Sequence, residues 1–238
     1  MNIFAHRGFS GKYPENTLLA FKEALKLDID GIELDVHKSK DGKLVVIHDE
    51  DVKRTFQGNG EIKNLNYDEL LKLKCSKNGF EENLECRIPL LEEVLDLIKD
   101  RDIILNIEIK NDIVSYDNIE FDVLNLIKKY EVKNKILISS FNHKALRRVK
   151  ELQGDINIGV LYEEEIPNVI EYAKEIGAYA IHPCKSLITD EIVKEAHDNN
   201  IKVNVYTVNK EADVKRLNSW NVDGIFTDYS DNAVEILK

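Results

Sequence analysis

The sequence is short of the residues that staple, kink or anchor a chain. Three cysteines in 238 residues, Cys75, Cys86 and Cys184, make no CxxC pair. An odd count without a secretion signal points to reduced thiols, which excludes a disulfide framework and a thiolate metal site. Four prolines and eleven glycines, with no Gly/Ser-rich tract, leave no linker and no low-complexity segment. No stretch approaches the ~18 apolar residues of a membrane span, and the opening MNIFAHRG lacks a basic segment followed by an apolar one. The expectation is a cytoplasmic protein with no membrane span. Basic charge is short as well: 33 Lys and Arg stand against 44 Asp and Glu, a formal net charge of −11. Nucleic acid is therefore not an expected partner, since counterion release needs a clustered Lys/Arg excess. An anionic ligand has to be gripped locally.

What is present is an ordinary globular composition, 43% hydrophobic and 32% charged, long enough for one large core and hence one domain over 1–238. Short apolar runs at 4–6, 32–36, 103–109, 136–139, 156–161, 179–182, 203–207 and 224–227 read as strands buried on both faces. Between them, apolar residues at three- and four-residue spacing predict helices, beginning with Leu18, Leu19, Phe21 and Leu25 and continuing over 90–99, 119–130, 144–151, 166–176, 189–199, 210–220 and 232–237. Eight strands, each with a helix before the next, give the count of an α/β fold of the (β/α)8 TIM-barrel type. An open doubly wound sheet would carry a Gly-rich first turn between strand and helix, and none is present. Barrel chemistry sits at the C-terminal strand ends, and polar residues gather there: His6, Arg7, Glu33, Asp35, Glu108, Lys110, Ser139, His182, Tyr206 and Asp228. Residues 50–88 do not fit the barrel count and read as a small inserted subdomain or lid after the second strand and its hairpin.

That hairpin is announced by Asp41-Gly42 between the apolar runs IELDV and LVVI. A two-residue turn there pairs positions summing to 83, which sets Asp35 opposite His48, with Glu33 on the same face roughly 6.6 Å along the strand. His37 reads as a solvated hairpin position. Thr189 and Asn209 read as N-caps ahead of acidic first turns.

The motifs AHRG, PENT, GIELDV, DG, VVIHD, RT, IPLLEEVL and NIEIK, in this order over nearly the whole chain, resemble the glycerophosphodiester phosphodiesterase family. The resemblance implies a distorted TIM barrel with a small insertion that hydrolyses glycerophosphodiesters to glycerol 3-phosphate and an alcohol, using one divalent cation. It places the metal carboxylates on Glu33, Asp35 and Glu108, the catalytic histidines on His6 and His48, and the phosphate-binding cations on Arg7 and Lys110. It also puts pocket aromatics at Phe141 and Tyr206, the second more often Trp in the family; Glu15 and His182 are further candidates for the pocket. The residue chemistry agrees. Three carboxylates suit a hard cation, Mg²⁺ or Ca²⁺ with Mn²⁺ possible, and no Cys or second His flanks them to favour zinc. Two imidazoles beside carboxylates suit acid–base work near neutral pH. The residues leave open a lysophospholipase D acting on lysophospholipids. They leave open, too, direct water attack against a cyclic phosphate route. A sugar-phosphate isomerase or aldolase on the same barrel would need a Schiff-base Lys or an enolising base in place of the histidine pair.

Overall fold

Alternation along each strand builds two opposite surfaces, one for the core and one for the site. The computed structural model describes residues 1–130 and 135–238. In chain order its elements are β1 (Asn2–Ala5), α1 (Leu18–Ala24), β2 (Gly31–Lys38), β3 (Leu44–Val46), β4 (Phe56–Gln57), α2 (Tyr67–Leu70), β5 (Lys74–Cys75), α3 (Leu91–Ile98), β6 (Ile104–Ile109), α4 (Ile119–Lys129), β7 (Lys135–Ser140), α5 (His143–Leu152), β8 (Asn157–Tyr162), α6 (Val169–Glu175), β9 (Ala180–Pro183), α7 (Asp190–Asp198), β10 (Lys202–Val205), α8 (Glu211–Ser219), β11 (Gly224–Thr227) and α9 (Ser230–Leu237). Strands β1, β2, β6, β7, β8, β9, β10 and β11 run parallel as successive neighbours, and β1 pairs with both β11 and β2. The sheet is therefore closed, a TIM barrel with helices between its strands. Among the described residues no helix is long and apolar enough to cross a membrane.

Ile32, Leu34 and Val36 of β2, Leu105, Ile107 and Ile109 of β6, and Val203 and Val205 of β10 point outward into one apolar cluster with the helices. Each is at most 1% exposed, and truncating one such residue to Ala costs ~2–5 kcal/mol by cavity formation. The intervening residues point inward, and they are polar: Glu33, Asp35 and His37, then Asn106 and Glu108, then Asn204, all buried. Phe4 and Phe226 close the barrel beneath them, ring centroids 4.9 Å apart. Phe4 lies where a side chain at Gly31 or Gly224 would sit, 2.6 and 2.7 Å from a Cβ built there, so glycine at those two positions lets the plug fit.

The hairpin register departs from expectation. β2 and β3 pair Val36 with Val46, His37 with Val45 and Lys38 with Leu44, a sum of 82. The loop holds three residues, not two: Gly42 N–H donates to the Ser39 carbonyl (3.0 Å), Ser39 N–H donates to the Lys43 carbonyl (2.9 Å), and Gly42 has φ +79°. This is a type I turn closed by a glycine in the left-handed region. Asp35 consequently faces Ile47, whose N–H donates to the Asp35 carbonyl (3.1 Å), and His48 follows after the chain has left β3. His37 is not solvated. It is 0% exposed, because β2 continues past it and Tyr116 covers it, with Nδ1 2.9 Å from the Tyr116 hydroxyl. Thr189 caps α7 as expected, accepting from Ile192 N–H. Asn209 does not cap α8, which starts after Lys210; its side chain is committed to Asp228 and Thr227 instead.

Alternation on β3 also explains how the segment 50–88 attaches. Leu44 and Val46 face the barrel cluster. Val45 and Ile47 face the other way, into a second apolar cluster with Val52, Phe56, Ile62, Tyr67, Leu70, Cys75, Cys86 and Ile88. The segment carries the short β4–β5 pair and grips the hairpin tip through Lys40 N–H to the Leu65 carbonyl and Tyr67 N–H to Asp41.

Candidate active site

A cavity of about 360 Å³ opens at the C-terminal ends of the barrel strands, lined by His6, Arg7, Glu33, His48, Glu108 and Lys110 on one side and by Phe141, His182 and Tyr206 on the other. Glu33 and Asp35 come from the inward face of β2. Glu108 arrives from β6, where register sets it beside Asp35. A ligand oxygen from each of the three lies within 4.8 Å of the others. Glu33 is 3% exposed, Asp35 1% and Glu108 8%.

Each carboxylate of β2 is held by one oxygen and leaves the other free. Glu33 Oε2 accepts the Arg7 main-chain N–H (2.9 Å), and Asp35 Oδ2 accepts from Asn16 Nδ2 (2.7 Å) with Arg7 Nε at 3.3 Å. Glu33 Oε1 and Asp35 Oδ1 are buried without partners. Buried oxygens left this way in a cluster of three acids suit a hard divalent cation. The electrostatics agree. Burial, followed by repulsion from Asp35 and Glu108, pushes the Glu33 carboxyl well above its ordinary range, and burial raises Glu108 to about 7 against the pull of Lys110. Asp35 goes the other way: burial opposes its charge, but Arg7, His48 and Lys110 hold it below the usual carboxylate range. The cluster carries like charges that a cation relieves.

Arg7 sits at φ +56°, followed by Gly8 at φ +78°. This costly backbone turn, of order 1–3 kcal/mol for a non-glycine residue, aims the Arg7 amide at Glu33 and its side chain across the carboxylates. Burial works against its charge, yet Asp35, Glu15 and Glu33 outweigh that and raise its pKa. Lys110 donates to Glu108 Oε1 (3.0 Å) and lies 5.8 Å from the Phe141 ring centre; there too the neighbouring acids overcome burial, and the ammonium stays charged.

Each of the two histidines is held by a carboxylate of its own. His6 Nδ1 is 2.6 Å from Asp228 Oδ1, and its Nε2 is 3.9 Å from Glu33. Ser10 and Asn209 donate to Asp228 (3.1 and 2.6 Å). His48 Nδ1 is 2.7 Å from Asp49 Oδ1, its Nε2 is 3.5 Å from Lys110 Nζ, and its carbonyl accepts from His37 Nε2 (3.0 Å). Burial, opposed mainly by Asp35, lowers the His48 pKa and keeps the ring neutral at pH 7.

Glu15 takes a place other than the pocket. It stands behind Arg7, accepting from Arg7 Nη1 (2.9 Å) and from Arg54 Nη1 and Nη2 (both 2.7 Å). Arg54 also donates to Asp49 through Nε (2.7 Å) and Nη2 (2.9 Å). PENT thus divides its work: Thr17 caps α1 by accepting from Ala20 N–H (3.2 Å), Asn16 holds Asp35, and Glu15 holds Arg7. Segment 50–88 was expected over the site, yet among the described residues none of it lines the main cavity; its contribution is Arg54. Sequence reasoning did not single out Asp49 or Asn106. Both signals were there, Asp49 as the neighbour of His48 and Asn106 by its inward parity with Glu108 on β6.

The comparisons fit this arrangement. The model of the glycerophosphoryl diester phosphodiesterase family matches residues 6–232. The chain is 42% identical over 236 residues to a glycerophosphodiester phosphodiesterase of Caldanaerobacter subterraneus subsp. tengcongensis, covering 99% of this chain and 97% of that protein. It is 43% identical to a glycerophosphodiester phosphodiesterase of Bacillus altitudinis, covering 98% and 97%. A phosphodiesterase from Oleispira antarctica, solved in complex with the product sn-glycerol-3-phosphate, superposes with a TM-score of 0.90 at 27% identity, over 100% of this chain and 96% of that one. A closed barrel with two histidines, two cations and three acids at its mouth, matched along nearly its whole length, belongs to the glycerophosphoryl diester phosphodiesterase family, and the chain is a phosphodiester hydrolase of that kind.

Proposed function

We propose that the chain hydrolyses glycerophosphodiesters to glycerol 3-phosphate and an alcohol by paired histidine acid–base catalysis at a divalent metal centre, and that it does so in the cytoplasm, where its three free thiols persist. The observation that carries this reading is the convergence of His6, His48, Arg7 and Lys110 on the three-carboxylate cluster within one cavity. Glu33, Asp35 and Glu108 would hold Mg²⁺ or Ca²⁺, with Mn²⁺ a third choice. A divalent cation supplies Lewis-acid neutralisation of the non-bridging phosphoryl oxygens.

Arg7 and Lys110, both kept charged by neighbouring acids, bind the phosphate and stabilise charge that grows on it during attack. His48, held neutral by burial, accepts the proton of the attacking hydroxyl. His6, with Asp228 at 2.6 Å to stabilise an imidazolium, protonates the departing alkoxide. Residues 50–88 form part of this single catalytic domain and act as a brace: Arg54 holds Asp49 behind His48 and Glu15 behind Arg7.

The test is direct. Purified protein is incubated with glycerophosphocholine or glycerophosphoethanolamine, with EDTA or with added Mg²⁺, Ca²⁺ or Mn²⁺, and glycerol 3-phosphate is measured. Product with at least one metal and none with EDTA is the expected result. Absence of product under every metal overturns the reading.

A further inference from the structure

β3 ends at Val46, short of His48. Ile47 N–H still donates to the Asp35 carbonyl of β2 (3.1 Å), and beyond that bond a side chain of β2 takes over from its main chain. That side chain is His37, on the same inward face of the strand as Asp35. Its Nε2 is 3.0 Å from the His48 carbonyl, which can only accept, so the ring proton is on Nε2. His37 is 0% exposed, and burial disfavours a charged ring. Nδ1 of the neutral ring is then an acceptor, and the Tyr116 hydroxyl donates to it (2.9 Å). Tyr116 stands edge-on to the imidazole, ring centres 5.7 Å apart at 80°. It is 9% exposed and lies on the loop between β6 and α4, the loop that begins with Lys110. Both nitrogens of His37 are thus engaged, and the bond to Tyr116 keeps the proton on the side that faces His48.

Packing alone does not call for an imidazole at position 37. An apolar ring there would fill the same space, and it would leave the His48 carbonyl without this donor. What the imidazole adds is direction. The Asp35 carbonyl holds the chain just before His48 and His37 holds it just after, so the Cα–Cβ bond of His48 is fixed from both sides, while Asp49 aims the ring at its end. We infer that His37 is a positioning residue for His48, with Tyr116 behind it as the group that holds the His37 ring in its donating tautomer. The inference rests on the reading of His48 as a proton acceptor and deepens it. The ring is set by a main-chain support from inside the barrel as well as by the side-chain support that Arg54 gives through Asp49. Loss of the first support displaces the imidazole from the attacking hydroxyl, which slows proton transfer, while the cations and carboxylates that bind substrate stay in place.

A second trio of the same chemistry serves as the control. His143 Nε2 donates to the Leu161 carbonyl (2.8 Å) and its Nδ1 is 2.9 Å from the Tyr172 hydroxyl, but leucine transfers no proton. The experiment measures kcat and KM on glycerophosphocholine, with the metal that supports turnover, for wild type, His37→Phe, His37→Gln, Tyr116→Phe and His143→Phe. His37→Phe should lower kcat about tenfold with KM moved less than about twofold. Glutamine carries an amide N–H as many bonds from the backbone as imidazole Nε2, so His37→Gln should return kcat to within about threefold of wild type. Tyr116→Phe should lower kcat by about threefold, and His143→Phe should leave it within about twofold. Wild-type kcat in His37→Phe overturns the inference while leaving the phosphodiesterase reading standing. So does a His37→Gln variant no better than His37→Phe, a His143→Phe variant that falls as far, or a KM that rises as kcat falls, which marks a disturbed β2. Where His37→Phe does not fold, Tyr116→Phe decides, because it keeps the ring and loses only the hydroxyl: unchanged kcat there overturns the inference. No glycerol 3-phosphate from wild type under Mg²⁺, Ca²⁺ or Mn²⁺ brings down both.

Discussion

The two histidines proposed for proton transfer are held by different constructions. His6 follows β1, and its partner Asp228 follows β11, the neighbour that register sets beside it through Ala5 and Thr227. Its orientation is thus a property of the closed barrel wall. His48 stands past the end of a three-residue strand, on a hairpin, beside a sequence neighbour. Among the described residues Asp49 is held, besides His48, by Arg54, from the segment with its own apolar cluster. The fold holds one histidine with its hydrogen-bonded frame and recruits an accessory element to hold the other, which lies beyond the frame.

The strongest way to break the comparison is to remove either ring. His6→Asn and His48→Asn should each lower kcat ~10²–10⁴-fold with KM little moved, because acid–base help is lost while the cations and carboxylates that bind substrate remain. The double variant should fall little further than the worse single one if the two act in one step. Steady-state kinetics on glycerophosphocholine decides it; full turnover in either single variant shows that the pair does not share the proton transfers.

A smaller effect separates the two supports. Arg54→Ala should lower kcat about tenfold through Asp49 and His48 and raise KM through Glu15 and Arg7, while Asp228→Asn lowers kcat alone. Lysine at position 54 should restore little, since one ammonium cannot make the four contacts of the guanidinium. If Arg54→Ala moved neither parameter, segment 50–88 would have no part in holding the site.

The difference also marks what the sequence can reveal. Barrel strands were legible from apolar runs because outward residues such as Ile32, Leu34 and Val36 bury against helices, and the site acids were legible because inward parity puts Glu33 with Asp35 and Glu108 with Lys110. Turn geometry was not. Asp41-Gly42 signals a hairpin, but whether two or three residues close it depends on where the left-handed residue falls, and that single residue changed the partner of Asp35 from His48 to Ile47. Long-range polar bonds were hidden for a related reason: Asn209 before an acidic turn looks like a cap, and only closure of β1 on β11 brings Asp228 to take its amide. Arg54 stood in a stretch with no periodicity, where spacing carries no information about its partners.

The smallest effect sharpens the contrast through stability. Burial opposes the charge on Asp49, but the bonds from Arg54 and His48 prevail and bring its pKa to about 2; at Asp228, burial is overcome by His6, Asn209 and Ser10, again to about 2. A carboxylate whose pKa is depressed by folding stabilises the native state above its unfolded value, 3.8 here, and that stabilisation is lost as pH falls through the folded value. Each contributes roughly 1–2 kcal/mol once its partial exposure is discounted. Arg54→Ala removes the strongest of the interactions that lower the Asp49 pKa and none at Asp228. Urea unfolding of wild type and Arg54→Ala should therefore differ by about 1 kcal/mol at pH 7 and converge between pH 4 and pH 2. Asp228→Asn should show the same convergence, and in the double variant the two losses should add, since the carboxylates share no partner. A stability difference for Arg54→Ala that stays constant down to pH 2 would mean that Arg54 braces the segment by packing alone, and the electrostatic link from segment 50–88 to His48 would have to be abandoned.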